Sequence, residues 1–264
     1  IIINNTLAYA FRVRRPWPWH RVRALNNAYL KIKGILGADT EALESVHLVE
    51  AYRRYLKPDN VKVLLLAESH VFTNDNDRKI AIPPLPELPG YPTCYARFVY
   101  CLGYGERRLT ANLLHPARDG TPQFWKILFS CCNRVSASSD FAPILSHTPY
   151  HQRLQNKIAL LKKLKENGVW LVDASIVALY NNGAKSSEMF RAIQESWQSY
   201  TRDVVLTAQP AHVICIGKGV ARVVEPDLKR HFPGQYTVIP QPNAHLSASE
   251  HLANFKTYSS LCCQ

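Results

Sequence analysis

Four short apolar runs punctuate the chain: Val61-Lys62-Val63-Leu64-Leu65-Leu66, Val169-Trp170-Leu171-Val172, His212-Val213-Ile214-Cys215-Ile216 and Tyr236-Thr237-Val238-Ile239. Each reads as a strand buried within a parallel sheet. Between them the spacing of apolar positions becomes helical. Asp39-Thr40 is placed to cap a helix through Leu43, Val46, Val49 and Tyr52 that ends before Pro58. Ile158, Leu161 and Leu164 form an apolar stripe opposite Lys157, Lys162, Lys163 and Lys165, and Gly168 stops that helix. Further helices are predicted from about Ser187 to Leu206, from Gly219 to His231, and from Ser247, where Glu250 stands at capping-box spacing. This alternation predicts an α/β fold: three layers, α/β/α, around a central four-stranded parallel sheet. Residues 73–92 break the rhythm, because Pro83-Pro84, Pro86, Pro89-Gly90 and Pro92 exclude regular structure. Loops of this length within compact domains are more often functional than decorative.

The 264 residues fit one or two domains at about 150 residues each. The expected division is an N-terminal segment, residues 1–35, packed on or flanking an α/β domain of residues 36–264. With 47% hydrophobic and 20% charged residues, the chain is no disordered polymer. No apolar run approaches the ~20 residues of a membrane-spanning helix, so no membrane partner is expected. The opening Ile1-Ile2-Ile3-Asn4-Asn5 turns polar too soon for a signal peptide, and without an initiator Met the chain reads as a trimmed form. Seven cysteines without any C-x-x-C point to the reducing cytoplasm, with neither a disulfide framework nor a zinc site. An iron–sulfur cluster would have to collect Cys94 or Cys101 with Cys131 and Cys215, which lack paired spacing; no metal or cofactor is expected.

Charge narrows the partner. Lys+Arg 32 against Asp+Glu 20 leaves +12, which suits a polyanion and most simply nucleic acid. Residues Phe11 to Arg23 interleave arginines with Trp17 and Trp19. Such a stretch can follow phosphates and stack on bases, or dock its tryptophans on the protein's own core.

In open α/β sheets the ligand sits beyond the carboxyl ends of the strands. The first strand exits into Ala67-Glu68-Ser69-His70-Val71-Phe72 and the second into Asp173-Ala174-Ser175. The third exits into Gly217-Lys218-Gly219 and the fourth into Pro240-Gln241-Pro242-Asn243-Ala244-His245-Leu246-Ser247-Ala248. These groups are expected to converge on one cleft.

In order and position, these stretches resemble the motifs of the uracil-DNA glycosylase superfamily. Ala67-Glu68-Ser69-His70-Val71 is similar to its G-Q-D-P-Y-H or G-E-A-P-G motif, and Trp170-Leu171-Val172-Asp173 to its L-L-L-N strand. Ala244-His245-Leu246-Ser247-Ala248 is similar to its H-P-S-P-L-S-A motif, and Ile216 to Ala221 to its glycine turn. The resemblance covers roughly residues 60 to 255. It implies a monofunctional glycosylase, acting on DNA, that flips a base out and hydrolyses its N-glycosidic bond; a monomer is expected. It places Glu68 where a carboxylate positions the attacking water, a role suited to the positive charge that builds on the sugar. His245, or else His70, would hold the leaving base, although the motif's own histidine aligns with Pro242. Leu246 matches the wedge that fills the hole left by an extruded base. Gly217, Lys218, Gly219 and Arg222, with Asn243 and Ser247, would grip DNA. Ser69, His70 and Phe72 would border the base.

Two departures bear on which base. Asp173 replaces the Asn that reads uracil; ionised, it repels uracil O4 and accepts from the N4 amino group of cytosine. Protonated, it could donate to cytosine N3. Val71 replaces a Tyr that blocks bulk at C5. Both point to a cytosine enlarged at C5, such as the glucosylated hydroxymethylcytosine of some bacteriophage genomes, and so to an antiphage role. Tyr91, Tyr95 and Arg97 are expected to wall such a pocket. A uracil or mismatch glycosylase, a DNA-binding module without catalysis, and a serine hydrolase built on Ser69, Asp173 and His245 remain open.

Overall fold

A computed structural model describes residues 19–110, 122–180 and 184–263. In chain order these form α1 (Trp19–Leu36), α2 (Leu43–Tyr55), β1 (Val63–Ala67), α3 (Asp75–Arg78), α4 (Leu102–Gly105), α5 (Pro122–Ser130) and α6 (Tyr150–Glu166). Then follow β2 (Val169–Asp173), α7 (Ser186–Ser196), a π-helical turn (Trp197–Thr201), α8 (Arg202–Ala208), β3 (His212–Ile216), α9 (Lys218–His231), β4 (Tyr236–Ile239) and α10 (Ala248–Cys262). The basic stretch from Phe11 lies outside the described residues as far as position 18.

The four apolar runs are the four strands, shifted at the first, which starts at Val63 and runs on to Ala67. They pair in parallel in the order β2-β1-β3-β4, with Leu65 opposite both Leu171 and Ile214, and Cys215 opposite Val238. β1, β2 and β3 are buried almost throughout, as runs apolar on both faces require. Helices cover both sides of the sheet, giving the three-layer α/β/α architecture. α1 and α9 both pack against α7, and α6 and α10 both pack against α5. No helix among the described residues is long and apolar enough to cross a membrane.

Several helix boundaries differ from the sequence pattern for local reasons. α2 starts at Leu43 behind Ala42; Asp39 instead closes a 3-10 turn, and Thr40 Oγ1 donates to Gly37 O. That shift leaves Glu41 in the segment before α2 with its side chain in the core. Lys157 does not join the solvent face of α6. It is buried, pairing with Glu106 at 2.8 Å over the Trp125 ring. The helix foreseen from Ser187 to Leu206 runs from Ser186 to Ala208, and its π turn aims Tyr200 at Glu50 and Trp197 Nε1 at Asp227. Gly168 ends α6 at φ +76°, where a Cβ would lie 2.8 Å from Asn60 O. α10 begins with the expected capping box, Ser247 N donating to Glu250 Oε2 at 2.7 Å and Ser247 Oγ accepting from Glu250 N.

The proline-rich loop holds more order than its composition implies: the turn of α3 and an isolated bridge between Ala81 and Cys94. Tyr91 is buried beneath it, donating to Tyr100 O and accepting from Leu102 N. All seven cysteines are free thiols.

Candidate functional site

The strand order places the topological switch point between β1 and β3, where a crevice opens at the carboxyl ends. A cavity of about 310 Å³ lies there. Glu68, Ser69, His70 and Val71 after β1, Asp173 at the end of β2, and Gln241, Pro242 and Asn243 after β4 all line it. Leu171, Ile216, Phe98, Val99 and Phe124 make its walls mostly apolar.

Backbone pairing continues past the strands and fixes these groups. Ala174 N donates to Ala67 O and Ser175 N to Glu68 O, so the exits of β1 and β2 stay side by side. Gly217 N donates to Ile239 O, tying the exits of β3 and β4. At φ +109° Gly217 also lets Gln241 approach, since a Cβ there would meet the Gln241 side chain at 2.6 Å.

A buried chain of charges lies behind the cavity and reaches it through Asp173 and His70. Asp173 Oδ2 accepts from Arg53 Nη2 at 2.5 Å and lies 3.6 Å from His70 Nδ1, an ion-pair distance beyond that of a hydrogen bond. His70 Nε2 meets Glu41 Oε1 at 2.7 Å, and the same oxygen accepts from Ala178 N at 2.6 Å. Behind Arg53 stands Glu50 at 3.5 Å, which accepts from Tyr200 OH at 3.0 Å. The Arg53 guanidinium also lies over the Phe98 ring, 5.3 Å from its centre.

Burial alone would discharge His70, but Glu41 and Asp173 outweigh it and raise its pKa to about 9. The imidazole is therefore an imidazolium at neutral pH. Burial works against Asp173 as well, yet Arg53 and then His70 hold its carboxyl below the ordinary range. Both charges disfavour the protonated Asp173 that would donate to cytosine N3 and favour the accepting carboxylate. Glu50 shifts the other way, pushed up by burial against the pull of Arg53.

Glu68 sits half-buried at the outer end. Its Oε2 accepts from Tyr180 OH at 2.5 Å, and its Oε1 lies 3.6 Å from where a side chain on Gly219 would begin, against the first turn of α9. A helix N-terminus favours a carboxylate there. Val71 and Tyr180 at the cavity are two of the large apolar side chains that stand exposed, at 38% and 65%.

Of the residues expected at the site, Glu68, Ser69, His70, Val71, Asp173 and Asn243 line the cavity, while Phe72, His245 and Leu246 do not. His245 is exposed on the loop before α10, and Leu246 is half-buried there. Gly217, Lys218, Gly219 and Arg222 form the start of α9 beside the cavity without lining it, and Ser247 caps α10. Lys218 and Arg222 lie at the surface, Arg222 over the Phe190 ring. Arg97 lines the cavity, paired with Asp77 at 2.8 Å, but Tyr91 and Tyr95 are core residues outside it. The hydrolase triad is not assembled. Asp173 faces Arg53 and His70, Ser69 Oγ is buried without a hydrogen-bond partner, and His245 is elsewhere. Among the described residues, no group of three or more His, Cys, Asp or Glu could hold a metal ion, and the cysteines named for an iron–sulfur cluster are not gathered.

Glu41, Arg53, Phe98 and Tyr180 belong to the site although no sequence motif singles them out. Only Arg53 leaves a trace in the pattern, since Val46, Val49 and Arg53 follow the buried stripe at i, i+3, i+7. The chain matches no protein-family model, no curated protein and no solved structure.

Proposed function

We propose that this chain is a DNA glycosylase that takes a C5-enlarged cytosine out of DNA into this cavity and hydrolyses its N-glycosidic bond. The observation that carries the reading is the placement of two carboxylates in one mostly apolar cavity, Asp173 buried and ion-paired, Glu68 half-buried against α9. The volume is at the lower end for ligand sites, about 300–1,000 Å³, and suits a single extruded base. The Phe98 ring gives that base an aromatic neighbour.

In the reaction the C1′–N1 bond breaks and its electron pair leaves with the base. Positive charge spreads over the sugar, and Glu68 stabilises it while orienting a water molecule. The water oxygen bonds to C1′, one proton passes to the carboxylate and on to the base, and an abasic site remains. The Tyr180 hydroxyl holds one Glu68 oxygen in place. Exposed Val71 leaves room beside the cavity for a C5 substituent that a larger side chain would exclude. The net charge of +12 and the surface cations Lys218 and Arg222 favour a DNA backbone across the cavity mouth.

The test uses matched oligonucleotides carrying uracil, a G·T mismatch, cytosine, hydroxymethylcytosine or glucosylated hydroxymethylcytosine, treated with alkali after incubation. Strand breaks confined to the enlarged cytosines, and reduced about a hundredfold or more in Glu68→Gln, are expected. Breaks at uracil alone would reject the cytosine reading, and none on any strand would leave a DNA-binding module.

A further inference from the structure

The cavity is lined by two buried polar groups, one of which has an atom without a hydrogen bond. His70 lines it at 4% exposure, and its Nε2 is taken by Glu41, while Nδ1 makes no hydrogen bond. Asp173 lines it at 2% exposure beside that nitrogen. A buried donor without a hydrogen bond is costly even beside an opposite charge, so such an atom marks a place where a ligand supplies the acceptor. A fixed donor, 3.6 Å from a fixed acceptor, asks for a ligand edge of the opposite pattern.

We infer that His70 Nδ1 and the Asp173 carboxylate together read the base edge, His70 donating to N3 and Asp173 accepting from N4 of a cytosine-type base, with Glu41 as the positioning residue that holds His70 in its donating form. The inference rests on the proposed glycosylase reading and adds the pair that sets its specificity. On a uracil-type base both contacts reverse: N3 carries a hydrogen against the imidazolium, and O4 faces the carboxylate. Rejection is doubled because neither protein group can turn around. Glu41 fixes the imidazolium from one side and Arg53 fixes the carboxylate from the other. Donation to N3 also draws electrons from the ring as the glycosidic bond breaks, so recognition and departure of the base use the same contact.

Glu41 from the segment before α2, Asp173 from β2 and Arg53 from α2 are the charged groups around His70, with the Phe98 ring edge-on to it. Affinity is measured for duplexes carrying one non-hydrolysable 2′-fluoro nucleoside, either 5-hydroxymethylcytosine or 5-hydroxymethyluracil, which differ only at the edge that is read. Wild type is expected to prefer the cytosine form by about ten- to a hundredfold. That preference is expected to stay flat up to about pH 9. Asp173→Asn is expected to lower the preference to the several-fold that the His70 contact alone supplies. Glu41→Gln is expected to keep the full preference at pH 6 and to lose the His70 share of it by pH 8, since one of the two carboxylates that keep His70 charged is gone. Equal binding of the two duplexes by wild type overturns the inference and needs no variant to fold. Preference without release of any base from hydrolysable substrates keeps the edge reading and rejects the glycosylase. Release from both base types at equal rates does the reverse.

Discussion

Replacing Glu41 by Gln tests the buried charge chain where its consequences are largest. The carboxylate oxygen 2.7 Å from His70 Nε2 is the closest partner of a buried imidazolium. With its pKa raised from 6.5 to about 9, His70 contributes stability that is whole below pH 6.5 and is lost as the pH rises through 9. The upper bound on that contribution is on the order of 3 kcal/mol, because each tenfold gain in proton affinity on folding is worth about 1.4 kcal/mol. In Glu41→Gln most of it disappears at neutral pH, because His70 sheds its proton rather than stay charged beside a single carboxylate. Ala178 N keeps an acceptor in the amide oxygen, so the loss reports the charge and not the loop. Urea unfolding followed by tryptophan fluorescence at pH 6, 7.5 and 9.5 gives the comparison. The difference between wild type and variant is expected to shrink steadily from pH 6.5 to 9.5. A difference that stays constant, or grows with pH, would mean that His70 is neutral in the folded protein.

Arg53→Met strands Asp173 and Glu50 in the core and is expected to cost about 3–5 kcal/mol in urea unfolding, less in acid where both carboxyls take up protons. Gly217→Ala is expected to destabilise by about 1–3 kcal/mol and to weaken binding of any ligand that touches Gln241, because its φ of +109° and the 2.6 Å approach leave no room for a methyl group. Ser247→Ala removes the N-cap of α10 and is expected to lower stability by about 1 kcal/mol, read as a lower urea midpoint at unchanged slope.

The sheet was legible because its strands are apolar on both faces and short, and the parallel order follows from helices between them. The cavity was legible in outline for the same reason: residues just past β1 and β2 meet because those strands are neighbours, and the turn after β4 reaches back past β3 to join them. What the sequence hid is the partner of each buried charge. Asp173 finds Arg53 across 120 positions, His70 finds Glu41 across 29, and Lys157 finds Glu106 across 51. Nothing local marks such pairs, and a lysine at the edge of an apolar stripe looks solvated until its partner is known. The motif after β4 failed in a different way. The turn places Pro242 and Asn243 at the cavity and carries His245 past it, so a histidine near the right motif is not the histidine in the site. His70, which the motif after β1 offered as the alternative, lines the cavity.

The most direct measurement is mass spectrometry of what wild type releases from a duplex carrying a single glucosylated hydroxymethylcytosine. The intact modified base is expected in solution, one per duplex, with the strand unbroken and abasic at that position until alkali is added. Tight binding of the same duplex with no free base after prolonged incubation would contradict the glycosylase reading and leave a DNA-binding protein.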